Sequence, residues 1–334
     1  MTGMTGTMGQ AGTLWRSHAR GVMVAALIAA ASAFLSEHYG APVMLFALLI
    51  GMAFHFLSSD PTCAPGLDFA AKTLLRLGVG LLGLRLTVGD IETVGAVPAL
   101  AVIGFVIATL GCGAVMARLL GRRMAFGMLA GGSVAICGAS AALAIASVLP
   151  HRPERETDTL FVVIAVTILS TVAMIAYPIL FTALGLSHVE SGFLIGATIH
   201  DVAQVVGAGY SISEEAGVIA TFVKMLRVAL LPVVMLVVML SFRHAQSARL
   251  QLPWFLVMFV GLAVMGNTGL VPQAVMSVAA DASRWCLVVA ISALGVRTSL
   301  AEIARVRPSY GAIILVETLF LLGLGLLFIG TVGL

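Results

Sequence analysis

Ionisable residues set among apolar ones are where this sequence can do chemistry. His200 and Asp201 are adjacent inside an apolar stretch, and Gln204 stands four places after His200, on the same face if the stretch is helical. Histidine titrates near neutral pH, so the trio can line a solute site and hold a proton. The structural alternative is a buried His–Asp pair closing an interface; the neighbouring Gly196-Ala197-Thr198 run favours the site. Lys224 and Arg227 follow in the next apolar segment, one helical turn apart. They either draw an oxyanion into the core, snorkel to an interface, or neutralise Asp201 and Glu214. An ionisable group at the centre of a membrane helix costs at least about 2.5–3.5 kcal/mol, so each such residue needs a partner or a cavity.

A second group is rich in small residues: Gly131, Gly132 and Ser133, then Cys137, Gly138 and Ser140. Residues of this kind break or bend a helix and uncover backbone N–H groups. A half-helix N-terminus carries about +0.5 charge and binds an anion without a formal cation. The alternative is close helix packing through small residues; the presence of two such segments favours a binding site. Glu317 lies alone in the last apolar stretch, either as a proton or cation coupling group or as a hydrogen-bonded structural residue. Arg85 and Arg297 sit near segment ends, where they reach headgroups or tie down a repeat, and His55 is expected at an interface. No P-loop, Gly-x-Ser-x-Gly elbow or His-Glu-x-x-His motif occurs. No catalytic residue, cofactor or metal is therefore expected.

The elements that must position these residues are membrane helices. Of 334 residues, 60% are hydrophobic and 10% charged, and mean hydropathy is +1.11; soluble domains carry about 25% charged residues. Apolar runs recur from residue 21 onward, at 21–36, 42–57, 69–89, 97–117, 125–149, 159–182, 192–212, 216–241, 253–270, 283–302 and 310–333. They are too long and too continuously apolar for barrel strands. The expected fold is an all-α polytopic membrane protein of 9–11 segments, with residues 1–20 a disordered cytoplasmic tail and 21–334 a single transmembrane domain. No cleavable signal is expected, and the four cysteines suggest no disulfide framework.

Basic residues place the N-terminus inside. Arg16 and Arg20, Arg118, Arg122 and Arg123, Arg243 and Arg249, and Arg305 and Arg307 all fall on one side. The run 125–149 breaks the pattern, because Arg152 and Arg155 follow it as Arg122 and Arg123 precede it. A re-entrant hairpin around its glycine-rich middle removes the conflict; the alternative is an ordinary span that violates the rule. The net charge is +3, and the concentration of basic residues in a few short loops sets orientation and gives no argument for nucleic acid.

Two internal matches suggest repeats. Residues 82–91 (LGLRLTVGDI) align without gaps to 294–303 (LGVRTSLAEI), at an offset of 212, and run in the opposite sense in this orientation. Pro42 and Pro253 stand at nearly the same offset. A weaker match, offset 63, lays Ile136–Ala141 on Ile199–Gln204, each followed by acidic residues and then by a proline, Pro178 or Pro232. Together they give inverted repeats in permuted order with two discontinuous glycine-rich segments.

The stretches SVAICGASA (133–141), IHDVAQVV (199–206) and KMLRV (224–228) closely resemble the inner-membrane family of conserved hypothetical proteins described as sulfate exporters, over essentially the whole chain from residue 21. By that resemblance the chain falls with the cation/proton antiporters and bile-acid-type anion transporters, which have inverted repeats and discontinuous helices beside a moving core. The resemblance implies a secondary transporter in the cell inner membrane that exports sulfate or a related oxyanion, coupled to H⁺ or Na⁺. The expected partners are this anion, the coupling ion and membrane lipids, with a homodimer as a further expectation. A cation/proton antiporter with Asp201 as carrier is the alternative. An intramembrane enzyme using Ser133 or Ser140 with His200 is a third reading, disfavoured because catalysis needs one asymmetric site.

Overall fold

The computed structural model describes residues 5–39, 43–150, 154–242, 252–298 and 308–333. Pro42, Arg152, Arg243, Arg249, Arg305, Arg307 and residues 299–303 of the second repeat copy lie outside the described residues. Every regular element among the described residues is helical. In chain order these are α1 (Thr5–Tyr39), α2 (Val43–Ala53), α3 (Ala64–Phe69), α4 (Leu75–Leu82), α5 (Val88–Val94), α6 (Ala96–Leu119), α7 (Met124–Ala135) and α8 (Ala139–Val148). There follow α9 (Glu154–Ala183), α10 (His188–Thr198), α11 (Val202–Ile212), α12 (Glu214–Ala229), α13 (Leu231–Ser241), α14 (Trp254–Asn267), α15 (Gln273–Arg297) and α16 (Pro308–Val332).

Among the described residues, six stretches are long and apolar enough to cross a membrane: His18–Tyr39, α6, α9, Glu214–Ser241, α15 and Gly311–Val332. The all-α polytopic membrane architecture follows from them. Helix α1 starts at Thr5, and no proline interrupts it. The chain groups into two compact units, residues 1–85 with 258–300 and residues 86–257 with 301–334.

In the first unit, α15 packs against α2 and α4. The α2 contact runs through glycines, since a Cβ on Gly51 would lie 2.5 Å from Ser292 O and one on Gly295 would lie 2.5 Å from Leu48 O. Ser283 Oγ donates to Gly78 O at 2.7 Å. Arg297 pairs with Asp68, and His55 Nδ1 lies 2.8 Å from Val296 O. Both residues thus help fix the end of α15.

The second unit is built on two helical hairpins. Gly132 of α7 packs against Ile145 of α8, contact that a straight path through thirteen residues, about 20 Å of helix, would forbid. The hairpin's two ends meet again at its base, where Arg123 pairs with Glu154 at 3.0 Å. The segment 125–149 therefore folds back, and basic residues flank it on both sides because both ends emerge together. In the second hairpin, Gly192 of α10 and Gly209 of α11 both pack on Ala216 of α12, and His188 lies 3.7 Å from Glu215 at the base. Helix α9, 30 residues and about 45 Å long, joins the two bases, so the hairpins start from its opposite ends.

A sidedness experiment checks this arrangement. In a cysteine-free background, an impermeant maleimide is expected to label Arg122→Cys and Glu156→Cys from one side and Ser187→Cys and Glu215→Cys from the other. Labelling of Arg122→Cys and Glu156→Cys from opposite sides would return 125–149 to an ordinary span.

Candidate functional site

The hairpin tips are breaks in helices. Helix α7 ends at Ile136 and α8 begins at Gly138, which has φ +59° and ψ −125°. That conformation is open to glycine and strained for other residues. Helix α10 ends at Ile199 and α11 begins at Asp201. The two tips meet: a Cβ on Gly138 would lie 3.6 Å from Asp201 Cβ and from His200 Cβ. At each tip one half-helix presents its C-terminal carbonyls and the other its N-terminal N–H groups, so two negative and two positive helix-dipole ends converge.

Each α-helix leaves its last carbonyls without intrahelical donors, and here those carbonyls are buried. Lys224 and Arg227 of α12 supply the donors. Lys224 Nζ donates to Ile136 O at 2.7 Å and to Ile199 O at 2.8 Å. Arg227 donates through Nε to Ala135 O at 2.7 Å and through Nη2 to Val134 O at 2.5 Å. Its Nη1 serves the other tip, at 3.1 Å from Gly196 O and 2.8 Å from Ile199 O. Both cations are fully buried, at 0% and 1% exposure. They sit at the negative ends of two helix dipoles, and α12, which packs along both α10 and α11, holds them there. The charged pair read as an anion attractor thus has most of its donors committed to backbone, and neither side chain snorkels.

The N-terminal ends are treated differently. Asp201 caps α11, accepting from Val202 N–H at 2.8 Å, and its own N–H donates to Ser170 Oγ at 3.0 Å. Helix α8 has no side-chain cap among the described residues. Ala139 and Asp201 are half-buried and Ser140 is exposed, whereas Gly132, Ser133, Cys137 and Gly138 are buried. The accessible part of the crossing is therefore the uncapped start of α8 beside the Asp201 carboxylate.

Not every candidate converges there. Ser133 Oγ donates to Leu129 O of its own helix at 2.5 Å. His200 Nε2 lies 2.9 Å from Thr318 Oγ1 of α16, and Gln204 Nε2 lies 3.5 Å from Thr171 Oγ1 of α9. His200 and Gln204 do not share a face, because residues 199–201 are not helical and the four-residue spacing loses its meaning across the break. His200 pairs with neither Ser133 nor Ser140. Sequence reasoning missed Ser170, Thr171 and Thr318; hydroxyl residues inside apolar helices were the available signal. Glu317 is buried at 0% exposure, against α6, with a Cβ on Gly113 placed 2.6 Å from Glu317 Oε1. Among the described residues no group of three or more His, Cys, Asp or Glu side chains could hold a metal ion.

The model of a family described as Conserved hypothetical protein 698 matches residues 20–310. The UPF0324 membrane protein CT0845 of Chlorobaculum tepidum is 49% identical over 308 residues, covering 90% of this chain and 86% of that protein. The UPF0324 membrane protein TauZ of Paracoccus pantotrophus is 48% identical, covering 90% and 91%. A UPF0324 membrane protein of Bordetella pertussis is 34% identical, covering 91% and 92%. No solved structure matches the chain.

Proposed function

The chain belongs to the Conserved hypothetical protein 698 family of UPF0324 membrane proteins, and from that premise we propose that it is a secondary transporter of a small anion, sulfate or a related oxyanion. One observation carries this reading. Two buried cations, Lys224 and Arg227, face one carboxylate, Asp201, where two hairpin tips cross. A surplus of positive charge in a low-dielectric interior asks for an anion, and the uncapped α8 N-terminus offers N–H donors to receive it.

Hairpins starting from opposite ends of α9 are the arrangement expected of alternating-access carriers, in which broken helices hold the solute near the midplane. The inner membrane, a cytoplasmic N-terminus and movement of the anion coupled to H⁺ or Na⁺ complete the proposal, with membrane lipid as surround and a homodimer as the expected assembly. One observation favours the cation/proton antiporter alternative: Asp201 is the carboxylate that remains partly accessible at the crossing.

Purified full-length protein in liposomes, given labelled sulfate and sulfite under imposed pH and Na⁺ gradients, separates these readings. The wild type is expected to move at least one of the two anions. Lys224→Gln removes the charge yet keeps an amide donor, so it is expected to fold and to lose at least ten-fold of that flux. Wild-type flux in Lys224→Gln would overturn the charge argument. Rapid Na⁺/H⁺ exchange with no anion movement would assign the antiporter instead.

A further inference from the structure

Glu317 is a carboxyl group that the crossing does not use. It is fully buried, and neither carboxyl oxygen has a hydrogen-bond partner among the described residues. It lies on α16 against Gly113 of α6, where any side chain at 113 would collide with it. Helix α16 packs on α6, α7, α9 and α10. Among the described residues no Lys, Arg or His side chain forms an ion pair with Glu317, and the titratable group beside it is the Cys112 thiol of α6, next to Gly113. An ionised carboxylate left unpaired in an apolar interior is strongly disfavoured. This packing therefore holds Glu317 as the neutral acid.

The next residue along connects this group to the crossing. Thr318 Oγ1 donates to Ile314 O at 2.7 Å and lies 2.9 Å from His200 Nε2, and His200 immediately precedes the Asp201 cap. A change at Glu317 thus has a short, fully packed route to the second hairpin tip. Charge is the other connection. By formal charge, Lys224 and Arg227 outweigh Asp201 while Glu317 is neutral, and ionised Glu317 brings the sum of the four groups to zero.

We propose that Glu317 is the proton-coupling site of this protein, protonated while an anion is held at the crossing and ionised when it is not. The inference rests on the anion-transport reading and adds the coupling ion to it. An anion binds best when the positive surplus is present, so anion binding favours the protonated acid, and by linkage protonation favours the anion to the same degree. Proton and anion then cross together. No bond forms or breaks other than the O–H bond of Glu317, whose proton comes from water on one side and returns to water on the other.

Two measurements on the full chain test this. In liposomes carrying labelled sulfate or sulfite, the wild type is expected to accumulate the anion in the more alkaline compartment. Glu317→Gln is expected to lose at least ten-fold of that gradient-driven accumulation while keeping anion exchange within about two-fold, and Glu317→Asp, which keeps an acid, is expected to retain both. Accumulation in Glu317→Gln equal to wild type, or accumulation driven by Na⁺ alone, would overturn the proposal and leave anion transport standing. Infrared spectra are read independently of transport: the wild type is expected to show a buried carboxylic-acid band that titrates with pH and is absent in Glu317→Gln. Lack of that band in the wild type would overturn the proposal even in an active transporter. Its presence in a protein that moves neither anion would support the proton site and sink the transport reading alone.

Discussion

Arg227→Leu is expected to yield no stable folded protein. The guanidinium donates to Val134, Ala135, Gly196 and Ile199 carbonyls, all buried, from opposite hairpins. Hydrogen bonds from a charged donor contribute about 1.5–3 kcal/mol each, and buried carbonyls left unpaired add their own desolvation cost. Loss of several such bonds at once approaches the roughly 5–15 kcal/mol by which whole domains are stable. Arg227→Lys keeps the charge but not the planar fork that reaches both tips, so an intermediate loss is expected. Size-exclusion profiles and thermal melts in detergent check the pair. A leucine variant that is monodisperse and melts within a few degrees of wild type would show that the tips need no clamp.

Gly127→Val is expected to be nearly as damaging, for a reason of shape. Helices α6 and α7 touch backbone to backbone: a Cβ on Gly127 would run into Gly113 O and Ala117 Cβ, and one on Gly113 would lie 2.5 Å from Gly127 O. The obstacle is main chain, which cannot swing aside as a flexible side chain can. Overpacking of this kind costs about 1–3 kcal/mol even for small additions, and valine adds a whole branched side chain. Displacing α7 also withdraws its C-terminal carbonyls from Lys224 and Arg227, so lost packing and lost hydrogen bonds compound. Loss of the folded peak, or a melting temperature lowered by well over ten degrees, is the expected readout. Retention of wild-type stability would mean that α6 and α7 are not in backbone contact at this point.

Much of the unit that carries the crossing was legible in residue order. Glycine-rich runs marked both breaks, and the weak match at an offset of 63 put Ile136 on Ile199 and Gly138 on Asp201, which are the helix-ending and helix-starting residues of the two tips. Basic residues on both sides of 125–149 revealed the first hairpin, because a segment that returns to its starting side must violate the charge rule for spans. The role of Lys224 and Arg227 was not legible. Their acceptors are backbone carbonyls up to 93 residues away in sequence, and a carbonyl gives no residue-type signal. His200 and Gln204 were placed together by helical spacing, which fails where the chain is not helical. The two compact units leave no mark in local hydropathy for a related reason: the first joins residues 1–85 to residues 258–300, and long-range contact leaves little trace there.

Because one helix bears both clamping side chains, the two tips cannot drift apart independently. The hydrogen bonds from α12 tie the meeting point of the four half-helices into one unit, with its helix dipoles already oriented. On the transport reading proposed above, a solute would find its stabilising environment prepared in advance and would spend little binding energy on turning dipoles towards it.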